Sequence, residues 1–131
     1  MAVAPFYGAD PESEKEGRVL TSLVESELAR RLPEEDVDVV GVERVGRIVR
    51  SPRAARALAE ELDVDLLVWG EALSFCGEVE LVARISRRDG SLVDDADEVE
   101  TLPAAAPNAI ALRRARATEL AQQVAEIYGR R

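Results

Sequence analysis

The chain contains no histidine, one cysteine (Cys76) and one lysine (Lys15) among 131 residues. Without histidine there is no Ser-His-Asp or Cys-His catalysis, no imidazole acid–base chemistry and no His-ligated metal. One cysteine excludes an intrachain disulfide and a Cys-rich zinc or iron–sulfur site. Aromatic residues make up only 4% of the chain, so the core must be built from Val, Leu, Ile and Ala. No apolar run approaches the ~18 residues needed to span a bilayer, and the opening Met1-Ala2-Val3-Ala4-Pro5-Phe6 has no basic n-region.

Acidic residues are plentiful, 26 against 17 basic ones, for a net charge of −9. That excess opposes general nucleic-acid binding, which depends on neutralising phosphates. With 47% hydrophobic and 33% charged residues, the composition is that of a globular chain. Its length fits one domain over 1–131 with a self-sufficient core.

Residues 2–6 read as a short buried strand, with Pro5 at its end because proline cannot donate to a ladder. Asp10-Pro11 offers a helix N-cap followed by proline at the first helical position. Ser13 with Glu16 is an alternative capping box one turn later. Leu20, Leu23, Val24, Leu28 and Leu32 then form one apolar stripe, and Pro33 ends the helix. A second strand is expected over 36–42. Ser51-Pro52 repeats the cap-and-proline signal, and Ala55, Leu58, Ala59 and Leu62 form the inner stripe of a second helix.

The most apolar segment, 64–72, reads as a strand buried on both faces. After the turn at Cys76-Gly77, Val79, Leu81, Ala83 and Ile85 alternate with polar residues, the pattern of a half-exposed antiparallel strand. Asp89-Gly90 is a hairpin turn. An acidic edge strand is expected over 91–102, a linker over 103–107 and a final helix over 108–130. The apolar face of that helix carries Ile110, Ala117, Leu120, Ala121, Val124 and Tyr128. The order β-α-β-α-β-β-β-α gives an α/β fold, a mixed β-sheet with helices packed on it.

Three stretches resemble the TolB amino-terminal-domain superfamily, which includes FlgO-like and CsgG-like proteins. Val3-Ala4-Pro5-Phe6 resembles the family's first strand. Leu20 to Leu28, leading into Val39-Val40-Gly41-Val42-Glu43-Arg44, resembles its first helix and second strand. Ala57-Leu58-Ala59 through Val68-Trp69-Gly70-Glu71 resembles its next helix–strand segment, and Arg88-Asp89-Gly90-Ser91 its hairpin turn. The similarity covers about residues 2–102. It implies a domain like the anticodon-binding α/β domains, without intrinsic catalysis, that serves in protein interaction or assembly, often at the bacterial envelope. For the chain as given the expected location is the cytoplasm; for a domain excised from a longer protein it is the periplasm or envelope.

No acid–base and nucleophile constellation can be assembled from the spacing, so neither catalytic residues nor a cofactor are expected. The acidic run Asp94, Asp95, Asp97, Glu98 and Glu100 reads as a charged edge strand rather than a cation site. Cys76 reads as a structural thiol. Two sites are expected. Tyr7, Gly8, Asp10, Glu43, Arg44, Trp69 and Glu71 gather near the carboxyl edge of the parallel strands, where α/β sheets bind small molecules or nucleotides. For Trp69 a core position is the favoured reading and this edge the alternative. Asp10, Glu12, Glu14 and Glu16 would repel a nucleotide from the first helix's positive end.

The final segment, 107–131, holds five arginines against two glutamates, so a basic helix is attached to an acidic body. Its arginines either lie on a solvent face or pair within the chain, or, in the sharper reading, Arg113, Arg114 and Arg116 are the contacts of a homo-oligomer, one copy's helix meeting another's acidic surface. Such a contact builds a ring or a filament. The leading functional reading is a non-catalytic protein-interaction or assembly module. The alternative is a small-molecule or nucleotide sensor at the carboxyl edge.

Overall fold

The computed structural model describes residues 1–32, 48–75, 77–93, 98–103 and 109–129. Within them the order is β1 (Ala2–Val3), α1 (Pro11–Arg31), α2 (Pro52–Leu62), β2 (Leu66–Phe75), β3 (Glu78–Arg87), β4 (Glu98–Pro103) and α3 (Ala109–Gly129). This is the expected mixed α/β architecture. The strand expected over 36–42 lies outside the described residues, as does Cys76.

The four strands form one sheet in the order β1-β2-β3-β4. β1 runs parallel to β2, with Ala2 opposite Leu67 and Val3 opposite Val68. β2 and β3 form a long antiparallel ladder from Leu66–Arg87 to Phe75–Glu78, and β3 continues antiparallel to β4.

Alternation along β2 divides its side chains between two cores. Leu66, Val68 and Ala72 join Val79, Leu81, Ala83 and Ile85 of β3 beneath α1 and α3. Leu67 and Trp69 face the other way, against Ala55, Leu58 and Ala59 of α2. Helices thus cover both faces, which is why this strand reads as nearly continuous hydrophobic sequence. On α1, Leu20, Val24 and Leu28 are at most 1% exposed. Burial of each contributes roughly 1.5–3 kcal/mol as an upper estimate.

The sequence signals set the helix ends. Asp10 caps α1: its Oδ1 accepts the Ser13 N–H at 2.9 Å and its Oδ2 accepts the Ser13 hydroxyl at 2.8 Å. The alternative box at Ser13 and Glu16 is not used, because Ser13 is already inside the helix and Glu16 binds elsewhere. Leu32, which precedes Pro33, is extended and ends the helix. Ser51 caps α2 by accepting the Ala54 N–H at 3.1 Å, a cap worth about 1 kcal/mol.

Three boundaries differ from expectation. The first strand is interrupted after Val3, and pairing to β2 resumes at Tyr7, which lies opposite Glu71. Four steps along the first segment therefore match three along β2, a one-residue bulge at Pro5-Phe6 where proline offers no donor. The bulge turns Phe6 into the α1 core and leaves Tyr7 paired with Glu71. β2 runs on to Phe75 because the Ser13 hydroxyl accepts the Ser74 N–H at 2.9 Å and ties the strand's end to α1. The segment 91–102 is not one continuous strand. Leu92 lies opposite Ser86 in an isolated bridge, β4 begins at Glu98 opposite Ala83, and 94–97 lie outside the described residues. Pro103 belongs to β4, and 104–108 lies outside the described residues.

α1 approaches the first segment through small residues. A Cβ on Gly17 would come within 2.4 Å of the Phe6 carbonyl oxygen. One turn on, the Thr21 hydroxyl accepts the Phe6 N–H at 3.0 Å and donates to the Gly17 carbonyl at 2.6 Å. Thr21 thereby satisfies the backbone donor that the bulge withdraws from the ladder.

Candidate functional site

The carboxyl edge of β1 and β2 is built from the bulge outward. The Tyr7 N–H donates to Gly70 O at 2.9 Å, and the Ala72 N–H donates to Tyr7 O at 2.8 Å. Tyr7 is thereby fixed beside Glu71. On the face of β2 and β3 that α2 covers only in part, the register sets Glu71 opposite Val82 and Leu73 opposite Glu80. An apolar pair and an acidic pair therefore alternate in a diagonal patch. Tyr7, Ala9, Glu71, Leu73, Glu80 and Val82 line a shallow cavity of about 170 Å³. Leu73 is 46% exposed, one of the few large hydrophobic side chains so open among the described residues.

Cations border the patch. The Arg84 guanidinium lies 5.0 Å from the Trp69 ring and 3.8 Å from the Glu71 carboxylate. Arg50 lies 4.0 Å from the Tyr7 ring, a cation–π contact that orients the ring. Arg84 therefore pairs with Glu71, a member of the patch, while Arg50 stands beside Tyr7.

The structure brings together two of the residues expected at this edge, Tyr7 and Glu71. Three others have different roles. Trp69 is a core residue, 1% exposed, and its Nε1–H donates to the buried Ser86 hydroxyl at 2.8 Å. Gly8 admits the start of α1, since a Cβ there would meet the Glu14 N at 2.2 Å. Asp10 is consumed by the cap, and the Ser13 N–H and hydroxyl hold its carboxyl below the usual range. Glu43 and Arg44 lie outside the described residues. Leu73, Glu80 and Val82 join the site although sequence reasoning did not select them. Their signal was the period-two alternation of β2 and β3, which puts them on the face of Glu71.

The expected oligomer contacts are corrected for two of the three arginines. Arg113 and Arg116 are 5% and 1% exposed; only Arg114 is on the surface. Arg113 Nε donates to Glu16 Oε2 at 2.7 Å and its Nη2 to Glu16 Oε1 at 3.0 Å, joining α3 to α1. Arg116 Nη1 lies 3.6 Å from Glu119. The spacing of 113, 116, 117, 120, 121 and 124 is a single helical stripe. The two arginines lie on its buried face, where α3 packs along α1.

A larger cavity, about 480 Å³, lies at the opposite, amino-terminal end of β2. The shifted carboxylates outside these cavities are structural. Asp10 caps a helix. The Glu27 carboxyl is lowered chiefly by the Arg30 hydrogen bond. Among the described residues no group of three or more potential ligands is positioned to hold a metal, and no helix is long and apolar enough to cross a membrane. A comparison with protein-family models finds no match for this chain, and a comparison with curated proteins finds none either.

Proposed function

We propose that this chain is a non-catalytic protein-interaction module, and that the patch of Glu71, Leu73, Glu80 and Val82 receives a basic, partly apolar segment of a partner protein. The observation that carries the reading is the exposure of Leu73, framed by Glu71 and Glu80 on the β2–β3 pair. Such alternation of apolar and acidic side chains suits an extended segment that alternates apolar and basic ones. The net charge of −9 adds long-range attraction for a basic partner. The reading is in keeping with the TolB-type resemblance.

Two features weigh against the alternatives. Ligand pockets usually span ~300–1,000 Å³, and the carboxyl-edge cavity lined by the described residues, about 170 Å³, falls below that range. Self-association through the basic helix loses Arg113 and Arg116, which are spent inside the chain. The partner favoured is therefore a different chain.

The test is a titration of the protein with a synthetic peptide alternating arginine and valine, beside a counterpart with glutamate for arginine. The expected result is saturable binding of the basic peptide alone. It should weaken as added salt shortens the Debye length from ~10 Å at 0.1 M to ~3 Å at 1 M. Equal behaviour of the two peptides contradicts the proposal. Light scattering on the free protein distinguishes the partner: a monomer indicates a different chain, and a larger mass indicates a second copy.

A further inference from the structure

We propose that the cavity at the amino-terminal end of β2 binds a small carboxylate with an apolar body, held by the Arg87 guanidinium. This site is separate from the interaction patch and does not depend on that reading.

The cavity has two kinds of wall. Leu66 and Val93, both buried, and Ile127 near the end of α3 supply an apolar floor. Arg87, Arg88, Asp65 and Asp89 supply a charged rim. Its volume of about 480 Å³ falls within the range of small-molecule sites. An apolar floor and a charged rim supply both kinds of contact that such sites use.

The charges at the rim are unequally committed. Arg88 is paired with Asp63. Asp89 Oδ1 accepts both the Ser91 N–H at 2.9 Å and the Ser91 hydroxyl at 2.6 Å, so it closes the hairpin turn. Asp65 is itself engaged. Arg87 is different. Its Nη1 donates to the Leu92 carbonyl at 3.2 Å. A guanidinium carries five N–H donors in a planar fork, so most of its capacity is left for a ligand. Cross-strand pairing sets Arg87 opposite Leu66, which puts the fork beside the apolar floor.

The ligand's chemistry follows. A planar fork takes carboxylate or phosphate in two parallel hydrogen bonds. Asp65 and Asp89 on the same rim oppose a second negative charge, which favours a monocarboxylate over a phosphate. Leu66, Val93 and Ile127 require a branched aliphatic or aromatic body to displace water from them.

Phenylacetate is a suitable probe, with neutral phenylacetamide as its control, followed by amide chemical shifts of the whole chain. Saturable shifts are expected at Leu66, Arg87, Leu92 and Val93, with phenylacetamide binding at least tenfold more weakly. Arg87→Gln, at an exposed strand end, should keep the melting temperature and weaken phenylacetate at least tenfold. Ile127→Trp should block binding by filling the floor while leaving the rim charges intact. Shifts that do not saturate, equal binding of the amide, or full affinity in Arg87→Gln would each overturn the proposal.

Discussion

Arg113 and Glu16, 97 positions apart in the chain, meet as a two-pronged ion pair between α3 and α1, with side chains only 6% and 18% exposed. The contact ties α3 to α1. Arg113 and Arg116 lie on the same stripe as Ala117, Leu120, Ala121 and Val124, so the pair acts where that stripe turns towards α1.

Arg113→Ala alone leaves Glu16 half-buried without its cation. A loss of ~2–3 kcal/mol in unfolding free energy is expected, measured by urea denaturation. The double variant Glu16→Leu with Arg113→Leu removes both charges and keeps apolar bulk. It should be more stable than the two single losses summed, because no charge is left stranded. Additive losses would show that the pair is not coupled.

Glycine to alanine inside a helix normally stabilises by up to ~1 kcal/mol. At Gly17 the opposite sign is expected. The new Cβ would meet the Phe6 carbonyl oxygen at 2.4 Å, and backbone cannot swing aside as a flexible side chain can. A loss of ~1–3 kcal/mol, the usual range for overpacking, should appear in the same denaturation assay. Gain of stability would mean that α1 does not lie this close to the first segment.

The cap of α1 gives stability a pH dependence. The Asp10 carboxyl is held below its ordinary value of 3.8, first by the Ser13 backbone N–H and then by the Ser13 hydroxyl. A folded-state value below the unfolded one means the stabilisation is fully present above 3.8 and is lost as pH falls through the folded value. Asp89 contributes in the same direction, chiefly through the Ser91 hydroxyl. Thermal melts from neutral pH downward should show a falling melting temperature in acid. The fall should be shallower in Asp10→Asn, which keeps a cap acceptor and removes the titration. Identical slopes would rule out this role for Asp10.

Elements whose signals are local were legible in the sequence. Asp10-Pro11 and Ser51-Pro52 start their helices where expected because each cap needs only a neighbour three residues on. The alternation from Val79 to Ile85 marked β3. Long-range features were not legible. Arginine is sorted to the surface by default, and nothing beside Arg113 in sequence announces Glu16. The bulge at Pro5-Phe6 depends on Thr21 accepting the Phe6 N–H fifteen residues away. At the candidate site, Tyr7 and Glu71 were found from strand ends. Leu73, Glu80 and Val82 require the β2–β3 register, which the turn at Gly77 fixes and composition does not.

Leu73→Asp gives the most direct test of the interaction patch. Leu73 is 46% exposed, so a structural role would contribute little, and the melting temperature should stay within about 2 °C of the unaltered protein. Affinity for the arginine–valine peptide should fall at least tenfold. A variant that melts much earlier while binding the peptide undiminished would show that Leu73 supports the fold and that partners dock elsewhere.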